Sequence, residues 1–261
     1  AVPTMLMMTL TDPVLESANT RSLRLMGFGA SPMDPAWIRR TAQGFPHTQL
    51  FNCYGLTETS PDLTVFDPNE FRRAIENDSP TLASVGKPNC LVDLKVTNSE
   101  GDDLAPGETG VLHARGPNIT KGYLNMPDET AAALSNGWLR TGDIARIDDE
   151  GYVYLIDREK DLIISGGENI YSSEVETALY QHPDIHECAV IGTVDERLGQ
   201  VVTAVIVPKP ETSLNSKAII DHCRELIGGY KIPRRIEFVE TMPKNELGKI
   251  LKNRLRDNYA E

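Results

Sequence analysis

The sequence is poor in positive charge. Among its 261 residues, 26 are Lys or Arg and 38 are Asp or Glu, which gives a net charge of −12 at pH 7. Because a chain this acidic repels a polyanion, general nucleic-acid binding is disfavoured. Any phosphate must therefore be bound by a few specifically positioned groups. The sequence also lacks any uncharged apolar run approaching the ~18 residues of a membrane helix, so no transmembrane segment is predicted.

Cysteine is sparse as well. Cys53, Cys90, Cys188 and Cys223 lie far apart and form no C-x-x-C pair. Since a disulfide framework needs denser cysteines, we expect free thiols, a reducing compartment and a cytoplasmic location. The first residues carry no initiator Met, no basic segment and no cleavage site, so no signal peptide is predicted.

What the sequence does contain is typical of a globular protein. Apolar residues make up 40% of the chain and charged residues 25%. These proportions exclude collagen, coiled coil and bulk disorder. At ~150 residues per domain, the length predicts one large domain or two modest ones.

The composition changes twice along the chain, which divides it into domains. Residues 1–80 are predicted to be an α/β portion, and residues 81–157, rich in short strands and turns, a mostly antiparallel, barrel-like β subdomain. Residues 158–261 are predicted to be a compact α+β domain, large enough to fold alone. The charged segment 157–161 is the predicted linker, so the domains are 1–157 and 158–261.

In the α/β portion, residues 23–28 and 50–54 are predicted strands. Between them a helix is predicted from Asp34 or Pro35 to Gly44, because Pro favours the first turn and Gly the end of a helix. Strand, helix and strand in this order form a parallel unit. Functional side chains in such units gather at the carboxyl ends of the strands.

The tail has signals of its own. Ser173 stands three residues before Glu176, a capping-box pattern that predicts a helix start, with Val175 and Leu179 on one face. The apolar runs 188–191 and 201–207 predict buried strands. A further helix, ending at Gly228-Gly229, is indicated by the period of Leu214, Ala218, Ile219, Leu226 and Ile227.

Several common motifs are absent from the sequence. Pro32 stands where a dinucleotide fingerprint needs its third Gly, and no phosphate-binding G-x-x-x-x-G-K-[ST] loop, H-E-x-x-H or G-x-S-x-G occurs. His182, His186 and Cys188 have a spacing that could bind a metal. Because Pro183 prevents a shared helical face, that metal site is disfavoured.

The segment Tyr54–Thr59 follows the second predicted strand and reads Tyr-Gly-Leu-Thr-Glu-Thr. It combines a ring for a base, Gly55 for close backbone approach, hydroxyls for phosphate and the Glu58 carboxylate, a hard ligand suited to Mg²⁺. The alternative, an ordinary strand-to-loop turn, is equally compatible with this segment alone.

Three later segments offer further candidates. Asp143 follows a predicted Gly turn and could accept ribose hydroxyls, although for this segment alone an exposed turn residue is the favoured interpretation. Residues 165–169, which include Gly166, Gly167 and Glu168, could let an extended ligand approach the backbone, or could be a β-turn. Lys249 follows Gly248 in a predicted exposed loop, where a solvated basic tail is the alternative.

Six segments recur in a fixed order over almost the whole chain. They are Gly-Ala-Ser-Pro at 29–32, Tyr-Gly-Leu-Thr-Glu-Thr at 54–59, Thr-Gly-Asp at 141–143, Asp-Arg-x-Lys-Asp at 157–161, Gly-Gly-Glu-Asn-Ile at 166–170 and Pro243–Lys249. In this order they resemble the adenylate-forming superfamily of acyl-CoA synthetases, peptide-synthetase adenylation domains and luciferases. The form at 166–170 is most similar to fatty-acyl and related acyl-CoA synthetases.

The resemblance implies a role for each matching residue. Thr57 would bind phosphate, Glu58 would hold Mg²⁺ and Lys249 would bridge the acyl carboxylate and the α-phosphate. Lys160 would be the hinge about which the C-terminal domain turns. The remaining implied contacts are Gly29, Ala30 and Ser31 with adenine and acyl group, Asn52, Cys53, Tyr54 and Gly55 with adenine (Tyr54 by stacking), Asp143 and Arg158 with ribose, and Gly166, Gly167 and Glu168 beside the pantetheine tunnel.

The implied reaction joins a carboxylic acid, fatty acids foremost, to ATP as an acyl-adenylate and then to CoA. Cofactors would be ATP or AMP, Mg²⁺ and CoA. Two unit negative charges 4 Å apart repel by ~4 kcal/mol at an effective dielectric constant of 20. A carboxylate that attacks a phosphate therefore needs cations, and Lys249 and the ion at Glu58 would supply them.

The sequence departs from the superfamily in length. Members are roughly twice as long and carry an upstream Ser/Thr/Gly-rich phosphate loop that residues 1–53 do not match, so we expect the carboxyl-terminal half of a synthetase. The missing half and a second copy of the chain are candidate partners. An adenylation domain that loads a carrier protein, and a non-catalytic AMP-binding or partner-docking module, are the alternatives.

Overall fold

The computed structural model describes residues 1–246 and 248–259. The chain divides into two compact units, Ala1–Leu155 and Ile156–Glu261. No helix within the described ranges is long and apolar enough to cross a membrane.

The first unit opens with an α/β portion. Its elements in chain order are α1 (Pro3–Thr11), α2 (Val14–Ser17), β1 (Leu25–Gly29), α3 (Pro35–Gly44), β2 (Gln49–Tyr54), a 3₁₀ turn at Thr57–Thr59, β3 (Thr64–Phe66), α4 (Pro68–Glu76), a 3₁₀ turn at Pro80–Ala83 and β4 (Lys87–Pro88). The sheet order is β1-β2-β3-β4. β1 and β2 pair in parallel, as predicted from the strand–helix–strand pattern.

The start of α3 is set by local chemistry. The Asp34 carboxylate accepts the Ala36 N–H at 2.7 Å, Pro35 occupies the first turn and the helix ends at Gly44, which confirms the predicted helix. Below the sheet the buried rings of Phe28, Phe66 and Phe71 pack edge to face. This core fixes the carboxyl ends of β1 and β2 side by side.

The rest of the first unit is a mostly antiparallel β subdomain. It contains β5 (Asp93–Thr97), β6 (Thr109–Arg115), α5 (Pro127–Ala133), β7 (Leu134–Ser135), β8 (Trp138–Ile147) and β9 (Val153–Arg158), which continues past the boundary of the unit. The order is β5-β6-β8-β7, and β9 also pairs with β8. The predicted antiparallel character is confirmed by the registers of β5, β6, β7 and β8.

The second unit is an α+β body. After a 3₁₀ turn at Glu159–Asp161 come β10 (Ile163–Ser165), β11 (Glu168–Ile170), α6 (Ser172–Tyr180), β12 (Ile185–Asp195), β13 (Gly199–Pro208), α7 (Ser216–Leu226), a 3₁₀ turn at Gly229–Lys231, β14 (Arg235–Phe238) and α8 (Lys252–Asn258). The sheet order is β11-β10-β13-β12, and β14 pairs with β13. The runs 188–191 and 201–207 are buried strands, as predicted.

Two details of this unit differ from prediction. The capping box is wrong: α6 begins at Ser172, the Ser173 hydroxyl donates to the Ile156 carbonyl, and Glu176 binds elsewhere. The cap acceptor is instead Asp157, which accepts the Ser172 hydroxyl at 2.9 Å and the Ser173 N–H at 3.2 Å.

The predicted helix around 214–227 is shorter than its apolar period. Asn215 caps α7 by accepting the Ala218 N–H, so Leu214 lies before the helix, and Ile227 lies after it. Both still pack against the core, while Leu226, expected on the buried face, is 43% exposed. The apolar period therefore included two residues, Leu214 and Ile227, that contact the core but lie just outside the helix.

Candidate active site

The carboxyl ends of β1 and β2 lie against each other. A Cβ atom on Gly29 would stand 2.4 Å from the Cys53 carbonyl oxygen, so only glycine allows this approach. The next residue, Ala30, has φ +70°, a left-handed conformation that a side chain rarely adopts. Strained backbone of this kind clusters at functional sites, and the contact of residues 29–31 with adenine and the acyl group stays a prediction.

The loop after β2 is folded tightly on itself. A Cβ atom on Gly55 would lie 1.4 Å from the Pro61 carbonyl oxygen, so the close approach predicted for this glycine is to its own loop. The Thr59 hydroxyl is bonded to the backbone of Leu56, with both distances 2.9 Å. This arrangement exposes Thr57 at the outside of the turn.

Tyr54 meets Asp143, although 89 residues separate them in the sequence. The Tyr54 hydroxyl donates to the Asp143 carboxylate, and the two residues are 9% and 5% exposed. Two residues that sequence reasoning assigned to one nucleotide are thus in direct contact.

The backbone around Asp143 differs from the predicted turn. Residues 141–143 lie inside β8, where the register opposite β6 shifts between Val111 and His113 and Gly142 has φ +72°. This is a bulge within a strand, and the alternative of an exposed turn residue is wrong. The Thr141 hydroxyl, which donates to the Leu112 carbonyl at 2.9 Å and accepts the Asp143 N–H at 3.1 Å, fixes the bulge.

Glu58 is held by a residue that the sequence analysis missed. Tyr123 donates its hydroxyl to a Glu58 carboxylate oxygen at 2.8 Å, and the Thr120 N–H donates to the Glu58 carbonyl at 2.7 Å. The hydrogen bond to Glu58 raises the pKa of Tyr123 above its usual value of 10. A separation of 65 residues carries no local signal, so sequence patterns could not have found this pair.

A second missed residue, Asn118, ties the same loop down. Its side-chain NH₂ donates to the carbonyls of Thr59 and Asp62, both at 2.8 Å, and its backbone carbonyl accepts the Ser60 hydroxyl. The loop that carries Thr57 and Glu58 is therefore fastened from the β subdomain. No cluster of three or more His, Cys, Asp or Glu suited to a metal occurs in the described part of the chain.

The donor set around Glu58 bears on the predicted Mg²⁺. Mg²⁺ in nucleotide enzymes is held by one or two carboxylates, substrate phosphates and water. A single partly exposed carboxylate fits such an ion, shared with a nucleotide, better than a resident metal. The half-buried Cys53, on the neighbouring strand, has a pKa raised by burial and by the nearby Asp62 charge, so its thiol stays protonated.

In the second unit, side-chain hydrogen bonds and an ion pair hold the backbone of the predicted hinge region, residues 157–161, in place. Arg158 ends β9, and its N–H donates to Asp157 at 2.7 Å. Lys160 is exposed within the 3₁₀ turn, while its neighbour Asp161 is buried and pairs with Arg256. The charged segment contains a turn, and its two aspartates bind groups of this unit. Its role as a linker stays a prediction.

Gly166 and Gly167 form the two-residue turn of the hairpin between β10 and β11. Their φ angles are +60° and +88°, the combination that a type I′ turn requires. A Cβ atom on Gly167 would have nothing within 4 Å. The β-turn alternative is therefore correct for the backbone, and an exposed glycine surface remains beside Glu168, which is exposed too.

Lys249 lies at the end of a tight loop. Its N–H donates to the Asn245 side chain at 2.9 Å, and its carbonyl accepts the Asn245 N–H at 3.0 Å. Gly248, with φ +81°, permits the turn, and Lys249 itself is exposed, as predicted. Leu247 of the same loop lies outside the described residues.

The sequence analysis also missed an ion pair between Lys252, three residues after Lys249, and Glu176 of α6. Glu176 accepts the Val190 N–H at 2.7 Å and pairs with Lys252 at 2.7 Å. Burial raises the pKa of Glu176 from 4.5, and the Lys252 charge opposes that shift. Lys252 also donates to the Ser172 hydroxyl at 2.8 Å, which in turn donates to Asp157.

Comparison with known proteins gives consistent matches along the chain. Residues 1–124 match the AMP-binding enzyme family, and residues 174–249 match the AMP-binding enzyme C-terminal domain. A feruloyl-CoA synthase from an Amycolatopsis species is 38% identical over 99% of the chain, which covers 51% of that protein. A long-chain-fatty-acid–CoA ligase from Escherichia coli O157:H7 is 34% identical over 95% of the chain and 42% of its own length.

Solved structures agree. O-succinylbenzoate CoA synthetase from Bacillus subtilis, in complex with ATP and a magnesium ion, is 35% identical and superposes with a TM-score of 0.81 over 98% of the chain and 50% of its own. The predicted mixed α/β class is confirmed by this likeness. The chain spans about half the length of the curated relatives it matches.

Proposed function

The chain belongs to the family of AMP-binding enzymes, within the adenylate-forming superfamily of acyl-CoA synthetases, and from this premise we propose that it forms part of an AMP-forming acid–thiol ligase. In the first step, an acid carboxylate oxygen attacks the α-phosphorus of ATP and pyrophosphate leaves. In the second, the CoA sulfur attacks the acyl carbonyl, the thiol proton is released and AMP departs. We propose that residues equivalent to the half of each relative's sequence that this chain does not span complete the active site.

The contact of Tyr54 with Asp143 is the observation that carries this proposal. A hydrogen bond from the Tyr54 hydroxyl holds a buried carboxylate in one orientation, beside a tightly folded loop that carries Glu58. An acceptor fixed in this way suits the paired hydroxyls of a ribose, since charged hydrogen bonds contribute ~1.5–3 kcal/mol when shielded from water. Arg158 is proposed as the second ribose contact.

The remaining nucleotide contacts follow the strand ends. Gly29–Ser31 would line the adenine and acyl pocket, and the backbone and side chains of 52–55 would border the base. Thr57, exposed on the 3₁₀ turn, would donate its hydroxyl to phosphate. Glu58 would hold Mg²⁺ against the same phosphates, and the ion would supply a Lewis acid there. Stacking by Tyr54 stays a prediction.

Lys249 is proposed to act only in the first step. Its ammonium group would bridge the attacking carboxylate and the α-phosphate, where two unit charges at 4 Å repel by ~4 kcal/mol at an effective dielectric constant of 20. The thiol of the second step needs no such cation. We propose that a turn of the second unit at Lys160 withdraws Lys249 and brings the hairpin of Gly166, Gly167 and Glu168 to the pantetheine arm.

The acyl group is the finer part of the proposal. We retain a fatty acid as the first candidate, in keeping with the form of the 166–170 segment. An aromatic acid is the second candidate, since the relative named above as a feruloyl-CoA synthase is 38% identical. The cytoplasmic location stays a prediction from cysteine usage.

The test is acid-dependent exchange of pyrophosphate into ATP by the full-length protein, with Mg²⁺ present and then removed by a chelator. We expect exchange that requires both the acid and the metal, followed by acyl-CoA when CoA is added. A mixture of fatty and aromatic acids, with the product identified by mass spectrometry, names the acyl group.

The other outcomes identify the alternatives. Exchange with thioester formation only on a phosphopantetheinylated carrier protein would indicate an adenylation domain. AMP binding to this chain by calorimetry, with no exchange in the full-length protein, would refute the ligase and favour a non-catalytic module.

A further inference from the structure

The helix α8 presents one anchored face to the second unit. Lys252, Leu255 and Arg256 have the i, i+3, i+4 spacing that places side chains on one side of a helix. Leu255 is 2% exposed and packs with Ala189, Ile191, Val205, Val207 and Met242. A helix of only seven residues is not stable by itself, so these contacts determine where it lies.

Each cation of this face pairs with a carboxylate on a different element. Arg256, with a side chain 30% exposed, pairs with Asp161, whose side chain is 12% exposed and which directly follows Lys160. Lys252 pairs with Glu176 of α6 at 2.7 Å, with side chains 18% and 20% exposed. Since both pairs are largely shielded from water, they are stronger restraints than ordinary surface ion pairs.

The same helix is joined tightly to the Lys249 loop. The Leu251 N–H donates to the Pro243 carbonyl at 2.8 Å, and Lys244 and Ile250 form a β-bridge that closes the base of the loop. Ile250 also packs against the cluster around Leu255. A shift of α8 is therefore passed on to Lys249, which lies three residues before the helix begins.

We propose that Arg256 and Lys252 are positioning residues for Lys249, because they clamp the helix that follows it to the turn at Glu159–Asp161 and to α6. This inference rests on the proposed function, in which Lys249 acts in adenylate formation. With both ion pairs intact, rotation of the second unit at Lys160 moves Lys249 along a fixed path. Without them, the position of the Lys249 loop varies during the rotation, and the ammonium group reaches the site in many orientations.

The size of the effect follows from the geometry of reaction. Misplacement of a catalytic group by ~1 Å can reduce a rate about a hundredfold. The thioester step does not use Lys249, so it should be spared. Loss of the clamp is therefore distinguished from general damage by its selectivity for one half-reaction.

The experiment compares Arg256→Gln with Arg254→Gln in the full-length protein. Arg254 lies on the same helix and is exposed, so the control removes an equal charge from α8 outside the anchored face. For each variant, adenylate formation is measured in a single turnover, and thioester formation is measured from supplied acyl-adenylate. We expect Arg256→Gln to slow the first step roughly tenfold to a hundredfold and the second by less than about twofold, with Arg254→Gln near wild type in both.

Two further arms keep the interpretation unambiguous. Trypsin cleavage after Lys249 in this chain should be faster in Arg256→Gln than in Arg254→Gln, and Arg256→Lys should restore much of the lost rate. Equal loss in both half-reactions, or the same behaviour of the two glutamine variants, would overturn the inference. If Lys249→Ala, run alongside, leaves adenylate formation unchanged, the proposed role of Lys249 fails and the inference with it, whereas absence of any exchange in the wild type would refute the ligase itself. If Lys249→Ala is slow and Arg256→Gln is not, the inference alone fails.

Discussion

Replacing Lys252 by Met should destabilise the second unit in a way that depends on pH. Lys252 lies 2.7 Å from Glu176, a distance at which two unit charges attract by ~6 kcal/mol at an effective dielectric constant of 20, before desolvation is subtracted. Breaking a buried pair costs ~3–5 kcal/mol, and since about a fifth of each side chain is exposed we expect ~2–3 kcal/mol at pH 8.

The sign of the pH dependence follows from the pKa of Glu176. Burial raises this pKa above 4.5 in the folded state, and loss of the Lys252 charge raises it further. The folded state then holds the proton more tightly than the unfolded chain, so stability falls as pH rises from 4.5 through the raised pKa. The loss in Lys252→Met should therefore be clearly smaller at pH 5 than at pH 8.

Amide hydrogen exchange of the peptide covering 201–207 is the suitable assay, because both tryptophans, Trp37 and Trp138, lie in the first unit. The ratio of variant to wild-type rates at one pH cancels the intrinsic rate, and ~2–3 kcal/mol corresponds to ~30–150-fold faster exchange at pH 8. Ser172→Ala, which removes the hydrogen bonds of the Ser172 hydroxyl with Lys252 and Asp157 but leaves the ion pair of Lys252 with Glu176 in place, is the control.

The double variant Lys252→Met with Glu176→Gln should recover most of the loss, because the neutral amide keeps an oxygen for the Val190 N–H and removes the buried charge. An equal loss at pH 5 and pH 8, or a double variant as unstable as Lys252→Met, would refute the reasoning.

Two other variants test individual contacts. Asp157→Ala should lower the free energy of unfolding of the second unit by ~1 kcal/mol, because Asp157 accepts the Ser173 N–H at the start of α6. Amide hydrogen exchange of the same peptide measures this loss. Asp157→Asn, which keeps an acceptor, should lose less stability, and equal losses in the two variants would contradict the capping role. Gly29→Ala should destabilise the first unit by ~1–3 kcal/mol in urea unfolding followed by tryptophan fluorescence, because its Cβ would lie 2.4 Å from the Cys53 carbonyl oxygen. A Gly29→Ala variant as stable as wild type would rule out the close approach.

Local sequence signals predicted the elements whose determinants are local. Helix α3 begins and ends where Asp34, Pro35 and Gly44 place it, because capping and proline geometry act within one turn. The strands 188–191 and 201–207 were predictable because continuous burial requires continuous apolar residues. Neither inference needed knowledge of a distant segment.

Other features depended on distant partners and could not be read from local patterns. Ser173 and Glu176 have the spacing of a capping box, yet Asp157 accepts the Ser173 N–H, and Glu176 binds Lys252 and the Val190 N–H instead. The burial of Asp143 depends on Tyr54, 89 residues away.

The candidate site divides in the same way. Tyr54, Glu58 and Asp143 were singled out by residue type and by the order of the motifs, and their part in nucleotide binding stays a prediction. Tyr123 and Asn118 were not, because an ordinary tyrosine or asparagine in a loop has no pattern that distinguishes it. Their role is visible only where the two loops meet.

The most direct test of the central claim, a cation at position 249 that is required for the first half-reaction only, is the ratio of the two half-reaction rates in Lys249→Ala of the full-length protein. If the ammonium group offsets a repulsion of ~4 kcal/mol, adenylate formation should fall by up to about a thousandfold. Thioester formation from supplied acyl-adenylate should stay close to wild type. A loss of equal size in both half-reactions, or in neither, would contradict the claim.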